Sequence, residues 1–500
     1  MTSPARGVRD TREFRRPVQT GRPAARRPAR APSRAVKLRA ALGPLTAWLG
    51  RPLASFHLVL AVFGLLTAIG LVMVASASPV ESLQTGSTSV YTLFKKQLAF
   101  AMIGLVVFWL GLRFPLRRIR ALSGPLVVTC VFLLILVLTP LGHRAATTRG
   151  WFVFGPISFQ PVEVTKLALT LWGAHVLVSK RAVLHQYRHL LVPVVPVALL
   201  MLTLVVLQPD LGSTVTLAVV MFALLWFIGA PMRLFATFAV GAIGAVVALS
   251  IGASYRLDRV LSFLHPGANA ASSYQANQSL YALADGGLFG RGLGMGQSKW
   301  DFLPNVHTDF IFALIGEELG FVGCALVLGL FAMVAVVGMR IATRNIDPWI
   351  RVVAATLTAW LIAQAAINIG YVVGLLPVTG IPLPMISYGG SSLVVTMLVF
   401  GILANCARHE PESVAALRSQ GPGRFGRLLH LPAPDVYQPP VRRRPARPST
   451  PPRASGRPAR SAPGSSGTRR TPARAGEERW APGRYGVGRA TGRAAEGGGR

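Results

Sequence analysis

"FLPNVHTDFIFALIGEELG", residues 302–320, starts as a polar, proline-containing loop and runs into an apolar stretch. Asp309 stands at the entrance and Glu317 and Glu318 lie further in, Glu317 roughly 12 Å deeper if the stretch is helical. Carboxylates are costly in hydrocarbon, so each must pair, protonate or face a polar cavity. Asp309 can act chemically, or it can cap the helix that begins beside it by accepting from free backbone N–H groups. Glu317 and Glu318 read better as structural partners of polar groups elsewhere in a bundle.

The surroundings justify treating this as a membrane problem. The chain has 500 residues, 52% hydrophobic and only 14% charged, a balance unlike that of soluble domains. Apolar runs near the roughly 20 residues that cross a bilayer as a helix recur along it. Ten are expected, at 56–77, 92–112, 123–142, 161–179, 190–207, 213–230, 234–252, 310–339, 352–373 and 390–407. The run from 310 is longer than a span requires, so it should tilt or project beyond the membrane. The expectation is an all-α polytopic membrane protein, its membrane domain covering 52–408.

The formal charge is +34, and it is concentrated at the ends. Residues 1–51 hold 13 Lys and Arg against 2 acids, and residues 408–500 hold 19 against 6. Tails 1–51 and 409–500 are rich in Pro, Gly, Ala and Arg and are expected to be disordered. They suit anionic lipid or acidic cytoplasmic partners; no nucleic-acid fold accompanies the charge. Cys130, Cys324 and Cys406 show no metal or disulfide spacing. An even number of spans puts both tails on one side, and the basic short loops "RFPLRRIR", "SKRAVLHQYRH", "PMR" and "RIATRNIDPWIR" fall on that same side, which the positive-inside rule makes cytoplasmic.

The outward segments are then 141–161, the turn "QPDLG" at 208–212 and the long loop 253–309, expected to carry short interfacial helices. They hold bases where few belong, among them Arg149, Arg291 and Lys299. Lys166 lies three residues after Glu163 inside the fourth span, on the same helix face. The two can neutralise each other, or they can serve an anionic substrate at the outer leaflet. The segment 374–392, "GLLPVTGIPLPMISYGGSS", is broken by Pro and Gly, and irregular backbone at membrane depth survives only against protein or a cavity. Ser387 sits in it.

Six stretches in order, "GLVMVASAS", "RGWFVFGPISFQPVEVTKLA", "QPDLGS", "SYQANQSLYALADGGLFGRGLG", "FLPNVHTDFIFALIGEELG" and "NIGYVVGLLPVTGIPLPMISYGGSSL", closely resemble the FtsW/RodA family of shape, elongation, division and sporulation proteins. "MRIATRNIDPWIR" and the ending "ARHEPESVAAL" are most like actinobacterial FtsW. The resemblance covers about 56–417. It implies a ten-helix peptidoglycan glycosyltransferase that polymerises lipid II at the outer face of the membrane during septal wall synthesis, beside a class B penicillin-binding protein. It places the family's essential acid on Asp309 and conserved loop residues on Trp151, Gln160, Glu163 and Lys166. Val162 stands where the family usually has Ser. On this reading Asp309 is the base for the acceptor sugar. Arg149, Lys166, Arg291 and Lys299 are candidate partners of the leaving polyprenyl diphosphate, and Ser387 is a further substrate-binding candidate. No cofactor is expected to be tightly bound. A divalent cation bridging diphosphate oxygens needs no all-protein cage. The alternative is a lipid II flippase, which would need polar access from both faces.

Overall fold

The computed structural model describes residues 50–84, 89–145, 148–155, 157–183, 186–251, 270–300 and 303–437. The expectations for tail 1–49, for 252–269 of the long loop and for 438–500 lie outside the described residues. The described residues belong to one compact unit that ends at Gln438.

Helices occupy all ten expected spans: α1 (Ala54–Gln84), α2 (Thr92–Arg113), α3 (Leu116–Leu138), α4 (Pro161–Ser179), α6 (Val194–Val206), α7 (Leu211–Ile228), α8 (Met232–Ile251), α10 (Ile311–Arg344), α11 (Pro348–Val372) and α12 (Gly390–Arg408). The short α5 (Tyr187–Leu191) precedes α6, α9 (Ala270–Gly286) lies in the long loop, and α13 (Pro411–Ser419) and α14 (Arg424–Leu428) follow α12. Seven of the ten, α1, α2, α3, α7, α10, α11 and α12, are long and apolar enough to cross a membrane. Helix α4 carries the Glu163–Lys166 pair, and α6 has 13 residues. The protein is a multi-pass membrane protein.

Helix α12 packs most extensively on α2, and α11 packs on both α10 and α7. Apolar residues surround these contacts, with Trp349, Trp360 and Tyr371 of α11 fully buried. Close approach is bought by small residues: a Cβ on Gly401 would lie 2.3 Å from the Phe108 carbonyl, and one on Gly338 would lie 2.0 Å from Thr358 Oγ1.

Three features depart from the expectation. Residues 141–161 are not a plain loop. They form an antiparallel meander, β1 (His143–Ala145), β2 (Thr148–Phe154) and β3 (Ile157–Phe159), so the membrane domain is mainly rather than purely helical. The long run from 310 does not simply tilt; it breaks at Gly320, whose φ of 69° and ψ of −165° no other residue adopts readily. A shorter half-helix, 311–319, precedes the break and a longer one, 321–344, follows it. The C-terminal tail does not leave the bundle at 409. Helix α13 and the segment to 437 are structured, with Leu417 and Leu431 buried and Trp109 Nε1 donating to the Leu429 carbonyl at 3.0 Å. A few apolar residues in an otherwise basic stretch are enough to bind it to the ends of α2 and α12.

Candidate functional site

The break at Gly320 needs new partners for the backbone groups it frees. The Gly-rich segment 287–300 supplies them. Phe321 and Val322 donate to the carbonyls of Gly287 and Leu288 at 2.9 and 3.2 Å, while Arg291 and Gly292 donate to those of Glu317 and Glu318 at 2.9 and 3.0 Å. Gly290 must be glycine there, since a Cβ would lie 2.2 Å from the Glu318 carbonyl and its φ is 81°. Both glutamates, fully buried, continue the lacing. Glu317 accepts from the backbone N–H groups of Gln297 at 2.6 Å and Ser298 at 3.2 Å. Glu318 accepts from Ser76 Oγ at 2.6 Å and from Lys299 Nζ at 3.0 Å, which also donates to the Gly294 carbonyl at 2.6 Å. The two intramembrane carboxylates therefore tie the loop to half-helix 311–319 and to α1.

Asp309 stands at the N-terminal end of that half-helix, half-buried. It is not the cap: the N-cap position is Phe310, and no side chain caps the helix there. Its backbone is clamped instead. Asn305, in the left-handed region at φ 60°, accepts from the Asp309 N–H at 3.0 Å. The Asp309 carbonyl accepts from Asn368 Nδ2 and lies 2.9 Å from the Tyr371 hydroxyl, both on α11. The same Asn368 and Tyr371 hold the Ile381 carbonyl at 2.7 and 2.8 Å, so the broken segment 374–389 is fixed beside Asp309. Gly380 lies against the carboxylate: a Cβ there would sit 3.5 Å from Asp309 Oδ2.

From Gly380 a chain of contacts leads to the QPDLG turn. Gly212 lies against the Thr379 and Gly380 carbonyls, 2.9 and 3.5 Å from where its Cβ would be. Asp210 caps α7, accepting from Ser213 N–H at 2.9 Å and Ser213 Oγ at 2.7 Å, and accepts from Gln160 Nε2 at 3.0 Å. Gln208 accepts from the Arg149 N–H at 3.2 Å through its carbonyl, and its carboxamide faces Gly150 of β2.

The four candidate cations separate sharply in this setting. Lys166 is 1% exposed, lies 2.9 Å from both Glu163 oxygens, and sits 5.0 Å from the centre of the Trp360 ring. Lys299 is locked to Glu318, and Arg291 pairs with Asp285 at 3.3 Å near the surface. Arg149 forms no ion pair among the described residues; its Nη1 donates to the Leu138 carbonyl at 3.2 Å, and its Nε is buried without a partner. Ser387 accepts from the Leu383 N–H at 2.8 Å and so closes a turn. Trp151 is half-buried on β2, opposite His143. Gln208, Asp210, Asn368, Tyr371 and Thr379 are additions that the sequence reading did not single out; "QPDLG" and the broken segment were the only signals pointing towards some of them.

Among the described residues, eight buried side-chain atoms lack a hydrogen-bond partner; five of them, Arg149 Nε, Gln208 Nε2, His307 Nδ1, Asn368 Oδ1 and Thr379 Oγ1, belong to the segments just described, and Asn345 Oδ1, Thr356 Oγ1 and Glu410 Oε1 lie elsewhere. An unmet buried polar atom costs about 1–3 kcal/mol. Each such atom in a folded protein calls for a partner that the protein itself does not supply.

The comparisons with known proteins agree with this outline. A family model for FtsW, RodA and SpoVE, described as a cell cycle protein, matches residues 56–412. The chain is 47% identical over 396 residues to the probable peptidoglycan glycosyltransferase FtsW of Mycobacterium tuberculosis, covering 79% of this chain and 75% of that one. It is 38% identical to the stage V sporulation protein E of Bacillus subtilis, covering 69% of this chain and 94% of that one. Among solved structures, one described under the structural coordination of polymerization and crosslinking by a peptidoglycan synthase complex matches with a TM-score of 0.60 at 28% identity. The rod shape determining protein RodA of Thermus thermophilus matches at 0.52 and 28%. Each of these two covers 73% of this chain and is itself 99% covered.

Proposed function

The chain belongs to the FtsW/RodA/SpoVE family of cell cycle proteins, and from that premise we propose that the Asp309 turn is where it polymerises lipid II. The protein is a membrane-embedded peptidoglycan glycosyltransferase that makes glycan for septal wall synthesis. The clamp of Asn368 and Tyr371 on both the Asp309 and Ile381 carbonyls, which sets the broken segment against the Asp309 carboxylate, supports this placement of the site. In the reaction, an acceptor sugar hydroxyl gives its proton to Asp309. Its oxygen bonds to the anomeric carbon of the donor glycan, and the bond from that carbon to the diphosphate breaks, leaving the electron pair on the polyprenyl diphosphate. Arg149 is the cation best placed to meet that charge, because the other three candidates are already neutralised by carboxylates. Gln160 and Trp151 line the approach. Glu163 and Lys166 support it from below as a closed pair, and Lys299, Arg291 and Ser387 hold the two broken segments. A divalent cation, where used, enters with the diphosphate, since among the described residues no three His, Cys, Asp or Glu side chains converge.

The reading extends to the surroundings of the molecule. A class B penicillin-binding protein works beside it and crosslinks the new glycan, both termini are cytoplasmic, the protein acts at the septum, and the basic tails meet other division proteins. The deciding experiment is polymerisation of purified lipid II by full-length protein with its transpeptidase partner. Base catalysis contributes about 10²–10⁴-fold, so Asp309→Asn should fall by that factor with unchanged melting. Wild-type rates in Asp309→Asn would overturn the catalytic assignment.

A further inference from the structure

The QPDLG turn is not absorbed by that mechanism. Its Asp210 carboxylate already accepts from three donors, two from Ser213 and one from Gln160, so it braces the turn. Gln208 is different. It is 1% exposed, yet Nε2 has no acceptor. Its carboxamide packs closely over Gly150: a Cβ there would lie 3.3 Å from Gln208 Oε1 and 3.8 Å from Gln160 Nε2. On the other side of the turn, where Gly212 meets the Thr379 carbonyl, Thr379 Oγ1 is also buried and unpartnered. Thr379 adjoins Gly380, where a Cβ would lie 3.5 Å from Asp309 Oδ2.

Both unmet groups are neutral. Neither brings a charge to offset that of an anion, unlike Arg149. An amide N–H pair and a hydroxyl suit hydroxyl and acetamido oxygens. Thr379 adjoins the glycine set against the proposed base, and a hydroxyl that loses its proton must lie on that side, since a general base has to come within hydrogen-bond reach of that proton.

We propose that Gln208 and Thr379 form the subsite that holds the acceptor sugar, an uncharged hexose bearing hydroxyl and acetamido groups, next to Asp309. The proposal rests on the assignment of the Asp309 turn as the reaction site. It divides the labour: Arg149 faces the diphosphate of the donor, and the QPDLG side faces the sugar of the acceptor.

The test uses full-length protein with its transpeptidase partner and purified lipid II, and compares Gln208→Leu and Thr379→Val with wild type. Each substitution removes one neutral hydrogen bond to substrate, so KM should rise roughly 3- to 10-fold. Each also removes a group that the free protein leaves unmet, so Tm should hold or rise; a side chain with a merely structural role would give the opposite. An unchanged KM in either variant, or a lowered Tm in both, overturns the proposal. Asp309→Asn in the same assay separates the two readings. If it polymerises normally, the reaction site itself is wrong; if it is inactive while Gln208→Leu and Thr379→Val keep a normal KM, only the sugar subsite falls.

Discussion

At 1% exposure the Lys166 ammonium has no water to solvate it, and Glu163 and the Trp360 ring replace that water. Breaking a buried pair by removing one partner costs about 3–5 kcal/mol, because the other charge is left unpaired, whereas removing both costs far less. Lys166→Met should therefore destabilise the protein by about that amount, and Glu163→Gln added to it should recover most of the loss, as read by unfolding in detergent. A lysine that served the diphosphate directly would show no such recovery of stability. His307 makes a separate prediction. It is buried two residues before Asp309, its Nδ1 is 3.7 Å from Glu81 Oε2 on α1, and its ring packs near Tyr388. Burial holds its pKa below the ordinary 6.5, and the Glu81 charge only partly opposes this. The folded protein thus binds fewer protons than the unfolded one just below that value. The stability tied to His307 is complete above about pH 6.5 and is lost as the pH falls below it. The Tm-against-pH curve of His307→Gln should be flatter on the acid side than that of wild type. The spacing of Glu163 and Lys166 made their pairing legible in the sequence. The clamp of Asn368 and Tyr371 on the Asp309 carbonyl was not, because it joins residues about 60 positions apart through backbone atoms that carry no sequence signature.

Among the elements, the one that decides the site is the broken helix α10. Hydropathy located it, since an apolar run signals burial in lipid whatever its backbone does. It could not show the break, because Gly320 differs from the other glycines of the run only through contacts with a loop 30 residues upstream. The same holds for β1–β3, which are short and framed by turns, and for the carboxylates of Glu317 and Glu318, whose partners lie in that loop and in α1. The lacing makes a sharp prediction. A Cβ at residue 320 would lie 2.3 Å from Gly290 N and 2.5 Å from the Leu288 carbonyl, with φ at 69°. Gly320→Ala must either straighten the helix or expel segment 287–300, and either change moves half-helix 311–319 and Asp309 with it. Polymerisation should drop to near background, and segment 287–300 should become open to protease in membranes where wild type is resistant. Normal activity with a protected loop would mean that the break does not position Asp309.

Across the whole molecule, the ten apolar helices and their order could be read because a bilayer imposes length and apolarity on each segment separately. The point where the bundle ends could not be read that way. Composition alone joins 409–437 to the basic tail, yet a few specific contacts hold it to the membrane domain. Trp109 Nε1 donates to the Leu429 carbonyl, Arg408 Nη2 donates to the Pro432 carbonyl at 2.7 Å, and Leu431 is 5% exposed. Two truncations should therefore behave differently. A chain ending at 438 keeps every one of these contacts and should match wild type in melting and in lipid II polymerisation. A chain ending at 419 loses them. Burial of a leucine contributes about 1.5–3 kcal/mol and each hydrogen bond about 1 kcal/mol, so this shorter chain should melt measurably lower. Its specific polymerisation rate should be spared when measured below that melting point, because the strap meets the ends of α2 and α12 while the Asp309 turn is built from other segments. Equal melting of the two truncations would show that residues 420–437 contribute nothing to the bundle. A lost rate in the shorter chain at temperatures where it is still folded would show that the strap reaches the site.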